Sequence, residues 1–122
     1  MINANKNNDV EDNKDQSDQT ITPPSFPGGK EGWLQYLQRN VKSDVPTQHK
    51  APTGKYTVIV SFNVAEDGSV SDVKADNDAG YSTAAEAVRA IKEGPKWIPS
   101  KQNGRAIATR TKQAITFEVE EG

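Results

Sequence analysis

The chain contains no cysteine and one histidine. Disulfide scaffolds, Cys-ligated zinc and thiol catalysis are thereby excluded. His49 lies between Gln48 and Lys50 with no second His, Cys or acidic pair beside it, and metal binding or acid–base catalysis needs convergent partners. No apolar run approaches the roughly 20 residues of a membrane span. The N-terminus also lacks the apolar central region of a signal peptide. Apolar residues are scarce altogether, at 33%. No excess of one charge exists, the formal net charge being −2, so bulk charge offers no footprint for nucleic acid. Nucleophile elbow, phosphate loop, paired carboxylates and metal-ligand spacing are all missing. The expectation is a non-enzyme without cofactor or metal.

The apolar shortage is uneven. Residues 1–25 are mostly Asn, Asp, Gln and Lys, with Ile2, Val10 and Ile21 among the few aliphatics. Such a segment cannot bury enough surface to offset its ordering entropy. We expect a disordered polar tail over 1–25 and one folded domain over 26–122.

What is present is organised around Tyr56 to Lys74. Tyr56, Val58, Val60, Phe62 and Val64 alternate with Thr57, Ile59, Ser61 and Asn63, the pattern of a strand with one buried face. Asp67-Gly68 marks a tight reversal. Val70 and Val73 then break the alternation, which allows a bulge in the return strand. Upstream, Trp33, Leu34, Leu37 and Val41 form a helical stripe within Gly29 to Val41. Lys42 to Gly54 has no periodicity and reads as loop. Asp76-Asn77-Asp78-Ala79-Gly80 misses the calcium-loop spacing and reads as a solvated turn. Thr83 to Glu93 is a helix with the capping-box string Thr83-Ala84-Ala85-Glu86. Its apolar stripe includes Ala87, Val88 and Ile91, and Gly94-Pro95 should end it, with Gly94 in a left-handed conformation. The expected core comprises Trp33, Leu37, Val58, Val60, Phe62, Val88, Ile91, Trp97 and Phe117.

After the turn signal Asn103-Gly104, Arg105 to Val119 is strand-like, with Ile107, Thr109, Thr111, Gln113, Ile115, Phe117 and Val119 on one face. At about 3.3 Å per residue it would reach roughly 50 Å, against roughly 30 Å for Tyr56 to Val64. Part of it should overhang or bend and leave an edge able to pair with another chain. The candidate partner-binding residues are Arg105, Ile107, Thr109, Arg110, Thr111, Lys112 and Gln113. A proline at Thr109 or Thr111 should remove a donor from that edge. Lys96, Lys101, Arg105, Arg110 and Lys112 cluster here with no acid among them in sequence. They suit protection against edge-to-edge aggregation as well as binding. An exposed final strand could also pair with its own copy, giving a homodimer.

The order helix, hairpin, helix, Trp-x-Pro linker, strand resembles the TonB C-terminal domain of energy-transducer proteins. The strings that carry the resemblance are Phe26-Pro27-Gly28-Gly29, Val60-Ser61-Phe62-Asn63-Val64 with Asp67-Gly68-Ser69-Val70-Ser71-Asp72-Val73, Glu86-Ala87-Val88-Arg89, and Pro95-Lys96-Trp97-Ile98-Pro99 with Lys101-Gln102-Asn103-Gly104. The family's Tyr-Pro after the first helix is replaced here by Lys42-Ser43-Asp44-Val45-Pro46, and its Gly after Trp-x-Pro by Ser100. The resemblance implies an α+β fold, a small antiparallel three-stranded sheet with two helices on one face in the order α-β-β-α-β. It also implies a periplasmic adaptor, tethered natively to the inner membrane by an N-terminal anchor and coupled through it to proton-driven motor proteins. Such an adaptor captures the TonB box of an outer-membrane TonB-dependent transporter by strand addition at its last strand. The alternative is a TonB-like sensory or cell-wall-binding module of a membrane signalling protein, in which the basic cluster holds anionic polymer.

Overall fold

The computed structural model describes residues 20–121. Residues 1–19 of the polar segment lie outside the described residues. In chain order the elements are β1 (Ile21–Thr22), α1 (Gly29–Asn40), α2 (Val45–Gln48), β2 (Gly54–Val64), β3 (Val70–Ala75), α3 (Thr83–Lys92), β4 (Ser100–Gln102), β5 (Arg105–Ile107) and β6 (Thr109–Val119). The main sheet has the order β3-β2-β6 and is antiparallel throughout. A second small sheet, β1-β4-β5, was not expected from the sequence. The architecture is the expected α+β one, with α3 packed across β2 and β3.

The alternation in β2 does what the pattern implies. Val58, Val60, Phe62 and Val64 are fully buried, and Ile115 and Phe117 of β6 join them on the same face. The β2–β3 register shifts between Ser61 and Asn63, so the suspected bulge is real. Phe26, Trp33, Tyr36, Trp97 and Phe62 interlock at ring separations of 5.0–6.2 Å. This aromatic wedge joins α1 to the sheet. Trp33, Ile91 and Trp97 are buried as expected, while Leu37 and Val88 are partly buried against that core.

Tertiary contacts overrode several local signals. Ser82 takes the N-cap position of α3 with no side-chain cap bond. Thr83 instead donates its hydroxyl to the Gly80 carbonyl at 2.6 Å. The Thr83 N–H goes to the Gly80 carbonyl at 3.1 Å and not to Glu86, so the capping box does not form. Glu86 accepts the Lys42 N–H at 2.8 Å and the Arg89 guanidinium at 2.6 and 2.9 Å. Arg89 also donates to the Asn40 carbonyl at 2.7 Å, fastening the end of α1 to α3. Gly94 is not among the glycines with positive φ. Its lack of a side chain serves Tyr36, whose hydroxyl would lie 2.9 Å from a Cβ there and donates to the Ala90 carbonyl at 2.6 Å.

The stretch Lys42 to Gly54 is not all loop, because α2 buries Val45 and Pro46. Nor is the end of the polar segment without structure. Ile21 pairs with Gln102 and Thr22 with Lys101, and Ser25 and Ile98 exchange backbone bonds of 3.0 and 2.8 Å. The single strand expected over Arg105 to Val119 breaks at Ala108. Arg105–Ile107 turns away to pair with β4, and only Thr109–Val119 pairs with β2.

Candidate functional site

Strand β6 lies at the edge of the main sheet, with β2 as its one partner among the described residues. The pairing is unbroken from Gly54↔Val119 to Val64↔Thr109. The overhang reasoned from length is therefore taken up by β5, and the whole of β6 is matched in length by β2. What stays open is its outer flank.

The hydrogen bonds fix which residues face that flank. In a strand, the N–H and C=O of one residue point to one side and those of the next to the other. The Ile59 carbonyl accepts the Asp76 N–H at 2.7 Å, and the Ile59 N–H donates to Asn77 Oδ1 at 2.8 Å. Odd-numbered residues of β2 thus face β3, and even-numbered ones face β6. Their partners across the register, Thr109, Thr111, Gln113, Ile115, Phe117 and Val119, bond inward to β2. Arg110, Lys112, Ala114, Thr116 and Glu118 turn their backbone groups outward.

This sorts the candidate residues. Arg105 and Ile107 lie in β5 and pair with Gln102 and Ser100, off the open edge. Thr109, Thr111 and Gln113 are on β6 but spend their N–H groups on β2. The Thr109 hydroxyl lies 2.7 Å from that of Ser100. A proline at Thr109 or Thr111 would therefore break the sheet rather than the edge. Arg110 and Lys112 are on the open edge. Ala114, Thr116 and Glu118 belong with them and were missed. No sequence signal marks them, because side-chain alternation does not reveal which residues form the hydrogen-bonded pairs.

The basic cluster is less free than its sequence suggests. Arg110 pairs with Asp72 at 3.1 Å and also donates to Asn63, Lys112 pairs with Asp76 at 3.2 Å, and Lys96 faces Asp67 at 3.8 Å. The acids come from β3 and the turns beside it, which no sequence window joins to β6. Asp76 is held below the usual carboxylate range chiefly by the Ser61 hydroxyl, which donates to both its oxygens at 2.8 and 2.7 Å. Lys101 and Arg105 have no acidic partner among the described residues.

Between α1 and β6 lie two hollows that share no lining residue and are together called the furrow. One is lined by Leu37, Gln38, Val41 and Ser43 with Ile115 and Phe117. The other is lined by Lys30, Trp33 and Leu34 with Trp97 and Gln113. Leu34, expected in the buried stripe of α1, is 50% exposed there. Tyr36, left out of that stripe, packs against the core beside Trp33.

Other candidates resolve into structural roles. His49 Nδ1 lies 3.0 Å from the Val45 carbonyl of its own short helix. Asp78 accepts the Gly80 N–H, as turn residues do, whereas Asn77 bonds across to the Ile59 N–H and the Thr57 carbonyl of β2. Among the described residues no cluster of His, Cys, Asp or Glu could hold a metal ion. No helix among them is long and apolar enough to cross a membrane.

The described residues thus form an antiparallel sheet with one open flank, backed by helices. The family model for the Gram-negative bacterial TonB protein C-terminal matches residues 53–119. The chain belongs to this family, whose members are periplasmic transducer and interaction domains. Strands β2 to β6 with α3 lie inside the match, whereas β1 and α1 precede it. Comparison with curated proteins and with solved structures gave no match.

Proposed function

We propose that this domain captures an extended segment of an outer-membrane TonB-dependent transporter, its TonB box, by strand addition along β6. The domain would thereby couple an inner-membrane proton-driven motor to nutrient uptake. The observation that carries the reading is the outward set of backbone groups on Arg110, Lys112, Ala114, Thr116 and Glu118, which a fourth strand could pair as β2 pairs the other flank. Backbone pairing asks little of side chains, so one domain can serve several partners. Parallel hydrogen bonds also share a load applied along the strand. Native attachment to the inner membrane through an N-terminal anchor is part of the same proposal.

The test is an amide-resolved NMR titration with a peptide copied from a transporter's N-terminal box. The expected result is a set of shifts that alternates along β6, large at the five outward amides and small at Thr111, Gln113 and Ile115. Shifts confined to Lys101 and Arg105, the cations lacking acidic partners, would favour binding of anionic wall polymer instead. Absence of any shift on β6 would overturn strand capture.

A further inference from the structure

Resting on strand capture at β6, we infer that the α1–β6 furrow reads the side chains of the captured strand and selects apolar residues at every second position. Side chains of directly opposed residues in paired strands share a face of the sheet. Those of a strand added to β6 opposite Gln113, Ile115 and Phe117 must therefore fall on the inner face. That face is the one that opens into the furrow. The side chains between them fall on the outer face, beside Ala114 and Thr116.

The furrow's chemistry commits it to an occupant. Leu34, Leu37 and Val41 form its apolar wall, with Ile115 and Phe117 opposite and the uncharged Gln38, Ser43 and Gln113 beside them. Charged groups stand only at its two ends, Lys30 at one and Glu118 at the other. At 1.5 Å per residue, Leu34 to Asn40 covers about 9 Å of helix, with Val41 as the extended cap beyond it. Alternate side chains of a strand are spaced at about 6.6 Å, so two of them meet this wall. An uncharged amphipathic strand, apolar inward and polar outward, is complementary to it. Leu34 is half-exposed, and its exposed half is available to such a strand.

The experiment uses the full chain and two blocked hexapeptides, Thr-Val-Thr-Val-Thr-Val and Thr-Ser-Thr-Ser-Thr-Ser, with affinities and amide shifts read by NMR titration. The valine peptide should bind at least about tenfold more tightly, the scale of burying two aliphatic side chains only in part. Leu34→Lys should erase that ratio while the outward β6 amides still shift, and Leu34→Met should keep it. Because Leu34 is half-exposed, Leu34→Lys retains the fold, which its amide spectrum verifies. Equal affinities with β6 shifts intact would overturn the furrow and leave strand capture standing. A valine preference that survives Leu34→Lys would overturn it as well. If neither peptide shifts β6, strand capture and the furrow fall together.

Discussion

The two flanks of the main sheet are finished differently. On the β3 side, β2 outruns a partner of six residues, and the leftover backbone groups are closed locally. Asp76 donates its N–H to the Ile59 carbonyl at 2.7 Å, while the Asn77 side chain accepts the Ile59 N–H at 2.8 Å and donates to the Thr57 carbonyl at 2.9 Å. The bulge after Ser61 and the left-handed Asp72, at φ 51°, make that flank a poor template. On the β6 side, eleven residues run without proline or register shift, and nothing comparable plugs them among the described residues. The contrast between an edge closed by side-chain mimicry and bulging and a longer edge left straight supports the proposal of capture at β6. The plugged flank shows that the means of closing an edge were available in this small domain.

The sharpest break in this comparison is Thr111→Pro. It removes an N–H that faces β2 and strands the Phe62 carbonyl, at a cost of about 2 kcal/mol or more. Chemical denaturation should show the loss directly. Asn77→Ala strips the plug from the β3 flank. Loss of two hydrogen bonds should destabilise by about 1–2 kcal/mol, and the newly opened flank should raise self-association in sedimentation.

Acid should act through Asp76 beside the β3 flank and through Glu86 at the joint between α1 and α3. Glu86 is held below the ordinary glutamate range, chiefly by its hydrogen bonds from Arg89. A carboxylate with a lowered folded pKa contributes stability above its unfolded pKa, near 4.3. That contribution is lost as pH falls through the folded value. Below about pH 4.3 the joint from Glu86 to Lys42 and Asn40 should loosen, visible as faster amide exchange at the end of α1. In Glu86→Gln that acid-dependent step should vanish.

The smallest effect on stability, and the most discriminating one, is Ala114→Pro. Its N–H faces outward, so folding should change by less than about 1 kcal/mol, as prolines on sheet edges are tolerated. Peptide capture should nevertheless be lost in the titration. Equal destabilisation by Ala114→Pro and Thr111→Pro would contradict the assignment of inward and outward residues.

Much of the fold was legible because it rests on local periodicity. Alternation marked β2, the Val70–Val73 spacing marked the bulge, and Trp97 was recognisable as core. The errors share a cause. The Thr83–Glu86 string is a sound capping box in isolation, yet Glu86 found a better partner in Arg89 and an unmet N–H in Lys42, 44 positions away. Leu34 sits on a helical stripe with Trp33 and Leu37, but α1 packs through Tyr36 and leaves Leu34 facing the furrow. At the site, length pointed to an overhanging strand, but β5 takes up the excess and β2 matches β6 residue for residue; the open edge is the outer flank of β6 instead. The residues assigned to it were offset, because a bend at Ala108 and the phase of the hydrogen bonds decide which backbone groups face out.

The sequence by itself determined the strand periods, the turns, the aromatic core residues and the family, since each is written in short-range pattern or ordered strings. Only the tertiary structure decided which flank of the sheet is closed and which is open, which residues of β6 face outward, and which cations are already paired. Those depend on groups brought together across tens of residues: Asp76 and Asn77 against β2, Asp72 against Arg110, and α1 against β6. Their proximity is set by packing of the whole chain, and no local rule encodes it.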